Sequence, residues 1–156
     1  MNKPLVYICS PCRGNYEMNI DNAISYSRAA FTRGYIPITP HIYFTRFMND
    51  ENSKERSMAM DAGLQLLLMC SEVWVFGLDH PSEGMQAEIA LAIRHGIPII
   101  DGDKILSGNT RRDGFTSLKE LFQHANVQLV QIRKEGETCQ NTETTKAIRI
   151  LPRGKR

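Results

Sequence analysis

Hydrophobic residues occur in short continuous runs that alternate with longer segments of helical periodicity. The first run, Leu5 to Cys9, is typical of a strand that is buried on both faces. Apolar residues then recur at helical spacing from about Met18 or Asn19 until Gly34, which predicts a helix that stops at the glycine. Residues 35–40 contain two prolines and therefore allow only a short strand.

The same alternation continues through the middle of the chain. The pattern predicts an irregular segment at 42–52, which could form a lid. The elements predicted after it are, in order, a helix at 53–69, a strand at 73–76, a helix that contains Glu88 and ends at His95 and Gly96, a strand at 97–100 and a helix at 117–125. Strands that alternate with helices through short connections form right-handed βαβ units. The expected fold class is therefore α/β, with a Rossmann-like or flavodoxin-like parallel sheet that carries helices on both faces.

The pattern changes near the C-terminus. Apolar stretches at 127–132 and 147–151 surround a polar segment, which predicts two strands or a hairpin. We therefore divide the chain into an α/β domain over residues 1–125 and a C-terminal β extension over residues 126–156 that ends in a basic tail. This extension could pack on the edge of the sheet or on another subunit.

Composition limits the class of protein further. The chain has 156 residues, of which 42% are hydrophobic, and this is enough for one sizeable core. A formal net charge of +2 is too small to indicate a nucleic-acid polymer or a membrane as partner. No apolar run approaches the roughly 20 residues of a membrane helix, and the start of the chain does not resemble a signal sequence. The cysteines suggest no disulfide framework. We therefore expect a cytoplasmic protein.

Glu88 is the most informative residue, because it is the only charged residue between positions 85 and 93. A carboxylate that is directed toward a core costs several kcal/mol unless it has a partner, so such a residue is expected at a cleft. Ligands of parallel α/β folds bind at the carboxyl ends of the strands, where the loops at 10–15 and 77–83 both lie. Glu88 is therefore the candidate nucleophile.

The loop at 10–15 is a candidate phosphate site. It joins a strand to a helix, so its backbone amides, the helix dipole and the Arg13 guanidinium could hold a phosphate group. A plain strand-to-helix turn would also need a glycine, and the pattern alone does not separate the two interpretations.

Other polar residues near the cleft have a functional and a structural interpretation. Cys9 and Cys12 form a C-x-x-C pair, but Cys9 belongs to the apolar strand, which makes thiol redox chemistry the less favoured hypothesis. His41 could reach the cleft or serve only the structure. Asp61 and Asp79 are further acids near the cleft, and Asp79 could be only a turn residue. No cluster of metal-ligand residues accompanies them, so we expect no metal site and no cofactor.

Two motifs carry a family resemblance. Tyr7 to Gly14 follows the pattern Y-I-C/A-S/G-P-x-R-G, and Ser82 to Glu88 follows S-x-G-x-x-x-E. Together with the segments at 34–41 and 72–77, they resemble the nucleoside 2-deoxyribosyltransferase superfamily, most closely its branch of small bacterial and phage proteins, which is related to the 2′-deoxynucleoside 5′-phosphate N-hydrolases. The likeness extends over residues 5–100.

The resemblance implies a role for each matching position. Glu88 would attack the anomeric carbon of a deoxyribosyl unit and displace the base, and water or a second base would complete the reaction. Tyr7 would lie close to the sugar. The remaining matches fall where related hydrolases hold a 5′-phosphate, and they are Ser10, Arg13, Gly14, Ser82 and Gly84. His41 would help to orient the sugar.

The chain departs from the family pattern at one position. Relatives keep an aspartate on the helix before the third strand to hold a sugar hydroxyl, and an alignment without gaps places Leu64 there. Asp61 lies one turn away and could substitute, or Asp79 could act near the leaving base.

The expected function is cleavage of an N-glycosidic bond, or 2-deoxyribosyl transfer, on a small-molecule nucleotide or nucleoside. A non-catalytic module that senses or sequesters a nucleotide is the alternative, and a thiol redox protein is less favoured. The resemblance also implies a homodimer or a larger homo-oligomer.

Overall fold

Strands and helices alternate along the chain in this computed structural model, which describes residues 2–108, 127–131 and 148–152. The elements in chain order are β1 (Leu5–Cys9), α1 (Tyr16–Thr32), β2 (Ile36–Ile38), α2 (Pro40–Phe44), α3 (Ser53–Leu67), β3 (Glu72–Val75), α4 (Glu83–Arg94), β4 (Ile99–Asp101), α5 (Gly102–Leu106), β5 (Val127–Gln131) and β6 (Ile148–Pro152). None of the helices within these described ranges combines the length and the apolar character needed to cross a membrane.

Four of the strands form one parallel sheet in the order β2-β1-β3-β4. β1 lies inside the sheet, where Leu5 pairs with Ile36 of β2 and Ile8 pairs with Trp74 of β3. This arrangement confirms the expected α/β fold of the flavodoxin-like type. The chain order reverses direction at β1, so a crevice forms where the carboxyl ends of β1 and β3 diverge into their loops.

The alternation of side chains along β1 divides the core into two layers. Val6 and Ile8 face one side and pack with residues of α1 and with Trp74 and Phe76. Tyr7 and Cys9 face the other side, which α3 and α4 cover. The buried residues on this second side include Leu67, Met85, Ile89 and Ala92. Tyr7 and Cys9 therefore lie beneath the helix that carries Glu88.

The elements predicted between residues 5 and 100 are present, with differences at their ends. α1 begins at Tyr16, slightly before the predicted start. Gly34 and Gly96 follow α1 and α4 with φ angles of 90° and 66°, so both helices stop at the predicted glycines, which adopt this left-handed conformation readily. The helix predicted at 117–125 lies outside the described residues.

Two short helices were missed by the sequence pattern. α2 occupies the start of the segment that was expected to be irregular, and Pro40 at its first turn favours helix initiation. α5 follows β4 directly, and the Asp101 side chain accepts a hydrogen bond from the Lys104 backbone at 3.3 Å as its cap. Each helix has only five residues, which is too short for a periodic hydrophobic pattern to be recognised.

β5 and β6 pair in antiparallel fashion, with Val127 opposite Pro152 and Gln131 opposite Ile148. This agrees with the two strands predicted near the C-terminus. The residues that connect them lie outside the described ranges, and the division of the chain at residue 125 stays a prediction.

Candidate functional site

Glu88 lies on the second turn of α4, beside the buried face of that helix. Ser82 caps the helix, and its Oγ accepts a hydrogen bond from the Met85 backbone amide at 3.4 Å. Met85, Ile89 and Ala92 are buried against the sheet at helical spacing. Glu88 follows Met85 by three residues, so its side chain leaves the helix close to the same face and reaches the crevice at the end of β1.

Tyr7 is the partner that the Glu88 carboxylate needs. Its hydroxyl donates a hydrogen bond to Glu88 Oε1 at 2.8 Å, although the two residues are 81 positions apart in sequence. The tyrosine side chain is only 1% exposed, so this contact is fixed by packing in the core. Cys9 faces the same side of β1 as Tyr7, close enough for its thiol to lower the pKa of the Glu88 carboxyl group.

The protonation behaviour of this group follows from its surroundings. Burial raises the pKa of Glu88 from 4.5 to about 7, although the Cys9 thiol and the hydrogen bond from Tyr7 oppose the rise by stabilising the charged carboxylate. Burial and the nearby Glu88 charge raise the pKa of Tyr7 well above its ordinary value, so Tyr7 remains a hydrogen-bond donor. Near neutral pH, both the charged and the neutral form of Glu88 are therefore populated.

A cavity of about 180 Å³ opens directly above this pair. It brings together most of the predicted site residues, which are Tyr7, Ser10, Arg13, His41, Ser82, Gly84 and Glu88. Gly14, Asp61 and Asp79 are not among the residues that line it. Asp61 is exposed on α3, and Asp79 is exposed in the turn after β3.

Ser10 and His41 form a second polar pair in the cavity wall. Ser10 Oγ and His41 Nε2 share a hydrogen bond of 3.2 Å. Burial lowers the pKa of His41 from 6.5 to about 4, so the imidazole is uncharged at neutral pH. Ser10 itself is buried at the end of β1, and the pair therefore joins the loop after β1 to the short helix α2.

At the mouth of the cavity, Asp50 lies between two arginines. Its carboxylate contacts Arg13 Nε at 3.0 Å and an Arg56 terminal nitrogen at 3.1 Å. All three residues line the cavity, but the sequence pattern identified only Arg13. Residues 50–56 are all charged or polar, as at an ordinary solvated helix start, so no local signal connects Asp50 with the distant Arg13.

Leu64 and Gly63 shape the part of the cavity nearest to Tyr7. Leu64 lines the cavity as an apolar residue where relatives are expected to carry an aspartate. A Cβ atom at position 63 would lie 3.3 Å from the Tyr7 hydroxyl oxygen, so the glycine leaves room for that group. No sequence pattern indicates this close approach, which depends on the packing of α3 against β1.

The cysteines do not form the reactive pair that redox chemistry would need. Cys9 and Cys12 are both free thiols, and Cys9 is buried. Burial raises the pKa of each, whereas an attacking cysteine needs a lowered pKa. Within the part of the chain that the structure describes, no group of three His, Cys, Asp or Glu side chains is placed to hold a metal ion.

Comparisons with known proteins agree with this fold. A 2-deoxyribosyltransferase from the psychrotolerant bacterium Bacillus psychrosaccharolyticus has a similar structure with a TM-score of 0.52 and 12% sequence identity, over 62% of this chain and 69% of that one. A conserved protein from Enterococcus faecalis V583 matches with a TM-score of 0.48 and 15% identity, over 70% of this chain and 77% of that one. At such low identity, the likeness to the transferase shows a common fold.

Sequence comparison identifies the family. No curated protein matches the chain. A family described as "Domain of unknown function (DUF7768)" matches residues 4–101, which include every element from β1 to β4 and all residues that line the cavity. This chain therefore belongs to the DUF7768 family.

Proposed function

We propose that this protein cleaves the N-glycosidic bond of a nucleotide or nucleoside, or transfers its 2-deoxyribosyl unit, with Glu88 as the nucleophile. The observation that carries the proposal is the hydrogen bond of 2.8 Å from the Tyr7 hydroxyl to Glu88 Oε1 at the base of an open cavity. A partly buried carboxylate with one oxygen held by a fixed donor is suited to attack with the other oxygen. The transferase-like fold supports a role in nucleoside chemistry.

In the proposed reaction, a Glu88 carboxylate oxygen bonds to the anomeric carbon of the sugar while the bond from that carbon to the base nitrogen breaks. The base leaves with the bonding electron pair and takes up a proton from water. Water, or a second base, then attacks the same carbon, loses its proton to the solvent and releases Glu88 as a carboxylate. The attack neutralises the Glu88 charge, so the burial that raises its pKa to about 7 also favours the ester over the free anion.

The other cavity residues would bind and orient the substrate. We propose that Arg13, Ser10 and Ser82 contact a 5′-phosphate, because each lines the cavity around the loops at the carboxyl ends of β1 and β3. Tyr7 would hold Glu88 in its reactive orientation. His41 would position Ser10 through their shared hydrogen bond. Gly14 would contribute only the shape of the first loop, where its φ angle is 95°.

Release of free base tests this proposal. The protein is incubated with a panel of nucleosides and nucleoside 5′-monophosphates, and the base is separated by chromatography. Glu88→Gln, which keeps the shape of the side chain, is expected to lower the rate by at least about a thousandfold. Asp21→Asn, at an exposed position of α1, serves as the control and should keep the wild-type rate. Release by Glu88→Gln at the wild-type rate would refute the role of Glu88.

A binding module is the second candidate, and Leu64 is the observation that favours it. If the sugar hydroxyl needs a carboxylate partner, the apolar Leu64 side chain cannot supply one, and the exposed Asp61 does not line the cavity. Calorimetry that shows nucleotide binding without any released base would support this function. Leu64→Asp would then be expected to introduce measurable base release.

A further inference from the structure

The ion-pair cluster of Arg13, Asp50 and Arg56 at the mouth of the cavity bears on which ligand the cavity accepts. We infer that Arg13 and Arg56 together bind a phosphate monoester, and that the phosphate does so by taking the place of the Asp50 carboxylate. The inference deepens the proposed function, on which it rests only for the identity of the group attached to the phosphate.

The geometry of the cluster resembles an occupied anion site. The Asp50 carboxylate accepts from Arg13 Nε at 3.0 Å and from a single Arg56 nitrogen at 3.1 and 3.2 Å through its two oxygens. Arg13 also donates to the Asp50 backbone carbonyl at 3.2 Å. Two guanidinium groups from separate elements, the loop after β1 and the helix α3, therefore converge on one small anion. Convergent guanidinium groups are a common means of binding phosphate.

The charges of the cluster favour exchange over joint binding. Two guanidinium groups and one carboxylate leave a single positive charge at this position. A phosphate monoester carries a charge of about −1.5 to −2 at neutral pH. If Asp50 stayed in place, the phosphate would meet a carboxylate at close range, and the group as a whole would become negative. If Asp50 leaves, two positive charges are matched by the phosphate.

Release of Asp50 requires only a local change. Its side chain is 38% exposed, and those of Arg13 and Arg56 are 58% and 21% exposed, so water screens the ion pairs and can solvate the freed carboxylate. The backbone around Asp50 is held by other bonds, such as the Asn49 amide to Glu55 Oε2 at 2.7 Å. The carboxylate can therefore turn outward while the segment keeps its conformation.

This exchange would make the cavity selective for phosphorylated ligands. A nucleoside without phosphate has no group to replace Asp50, so it would leave the two arginines neutralised by the carboxylate at the mouth of the cavity. A nucleoside 5′-monophosphate would displace the carboxylate and bind Arg56, a residue that the sequence motifs do not include. Arg56 is thus a specificity-determining residue of the site.

Binding of inorganic phosphate to the full-length chain tests the inference, with ³¹P NMR titration as the readout. Asp50→Asn and Asp50→Ser remove the competing charge and should strengthen binding by about fivefold to tenfold, the range that partly exposed ion pairs allow. Arg56→Gln should weaken binding by about tenfold or more. Glu51→Gln and Lys54→Gln remove neighbouring exposed charges and should leave the affinity within about twofold.

The alternative role for Asp50 gives the opposite result. If the carboxylate orients the two guanidinium groups for a ligand, both Asp50 variants will bind phosphate more weakly, and the inference is overturned. Absence of phosphate binding in the wild type and in all variants would overturn it as well. Because inorganic phosphate has no glycosidic bond, these outcomes do not depend on the proposed reaction. In a second titration, Asp50→Asn should strengthen binding of a nucleoside 5′-monophosphate and leave that of the nucleoside unchanged.

Discussion

Replacing Glu88 with glutamine should stabilise the protein at pH 8 and change its stability little at pH 5. Burial raises the folded-state pKa of Glu88 to about 7 from the ordinary value of 4.5, which applies to the unfolded chain. Between these two values the folded protein binds more protons than the unfolded chain, so stability falls as the pH rises. The full loss of unfolding free energy is reached above the folded-state pKa of Glu88, and there is no loss below its unfolded-state pKa. Glutamine cannot ionise and removes this dependence.

The size of the effect follows from the same two pKa values. A rise from 4.5 to about 7 corresponds to about 3 kcal/mol, at about 1.4 kcal/mol for each pKa unit. Part of this difference is already present at pH 5, which lies above the unfolded value, and the carboxylate retains some contact with solvent at the cavity. We therefore expect the gain in unfolding free energy of Glu88→Gln over wild type to grow by about 2 kcal/mol from pH 5 to pH 8.

Urea denaturation of both proteins at pH 5, 6, 7 and 8 measures this difference. Other titrating groups, including His41, are common to the two proteins, so their contributions cancel in the comparison. A gain that stays constant with pH, or that is larger at pH 5, would show that Glu88 is not a partly buried carboxylate with a raised pKa. The test needs no substrate and is independent of the proposed reaction.

Three further substitutions test individual contacts, two beside Glu88 and one in the core layer on the other side of the sheet. Tyr7→Phe removes a hydrogen-bond donor to the Glu88 carboxylate and should raise the pKa of Glu88 by about one unit or more. ¹³C NMR of labelled glutamate measures this pKa, and an unchanged titration midpoint would contradict the hydrogen bond. Gly63→Ala places a methyl group 3.3 Å from the Tyr7 hydroxyl oxygen. Base release should therefore fall, while the unfolding free energy changes by less than about 1 kcal/mol. Unaltered base release would argue against the contact. In Gly102→Ala the new Cβ atom points into the Phe76 ring, which should lower the unfolding free energy measured in urea by about 2 kcal/mol. Wild-type stability would mean that the ring moves aside freely.

The parallel sheet and its crevice could be predicted because their signals are local. A continuous apolar run identified β1, and the single charge within an apolar helix identified Glu88 as a residue that needs a partner. The alternation of side chains along β1 then accounts for the partner itself, since Tyr7 must face the same side as Cys9. The sequence indicates an incidental role for Cys9, whereas its thiol faces the side of β1 that α4 covers and lowers the pKa of the Glu88 carboxyl group.

The mouth of the cavity could not be predicted, because its contacts join residues that are distant in sequence. Arg13 and Asp50 are 37 positions apart, and nothing near either residue indicates that they meet. Hydrophobic periodicity identifies which face of a helix is buried, but it does not show where an exposed arginine such as Arg56 directs its charge. These contacts depend on how α3 and the segment before it pack against the loop after β1.

In the proposed reaction, Glu88 forms a covalent bond to the sugar. Acid quenching of the protein during turnover of a nucleotide that releases base, followed by proteolysis and mass spectrometry, detects this bond. We predict a peptide whose mass is increased by one deoxyribosyl phosphate unit, with the modification on Glu88. Turnover that proceeds with the modification on a different residue would rule out Glu88 as the nucleophile.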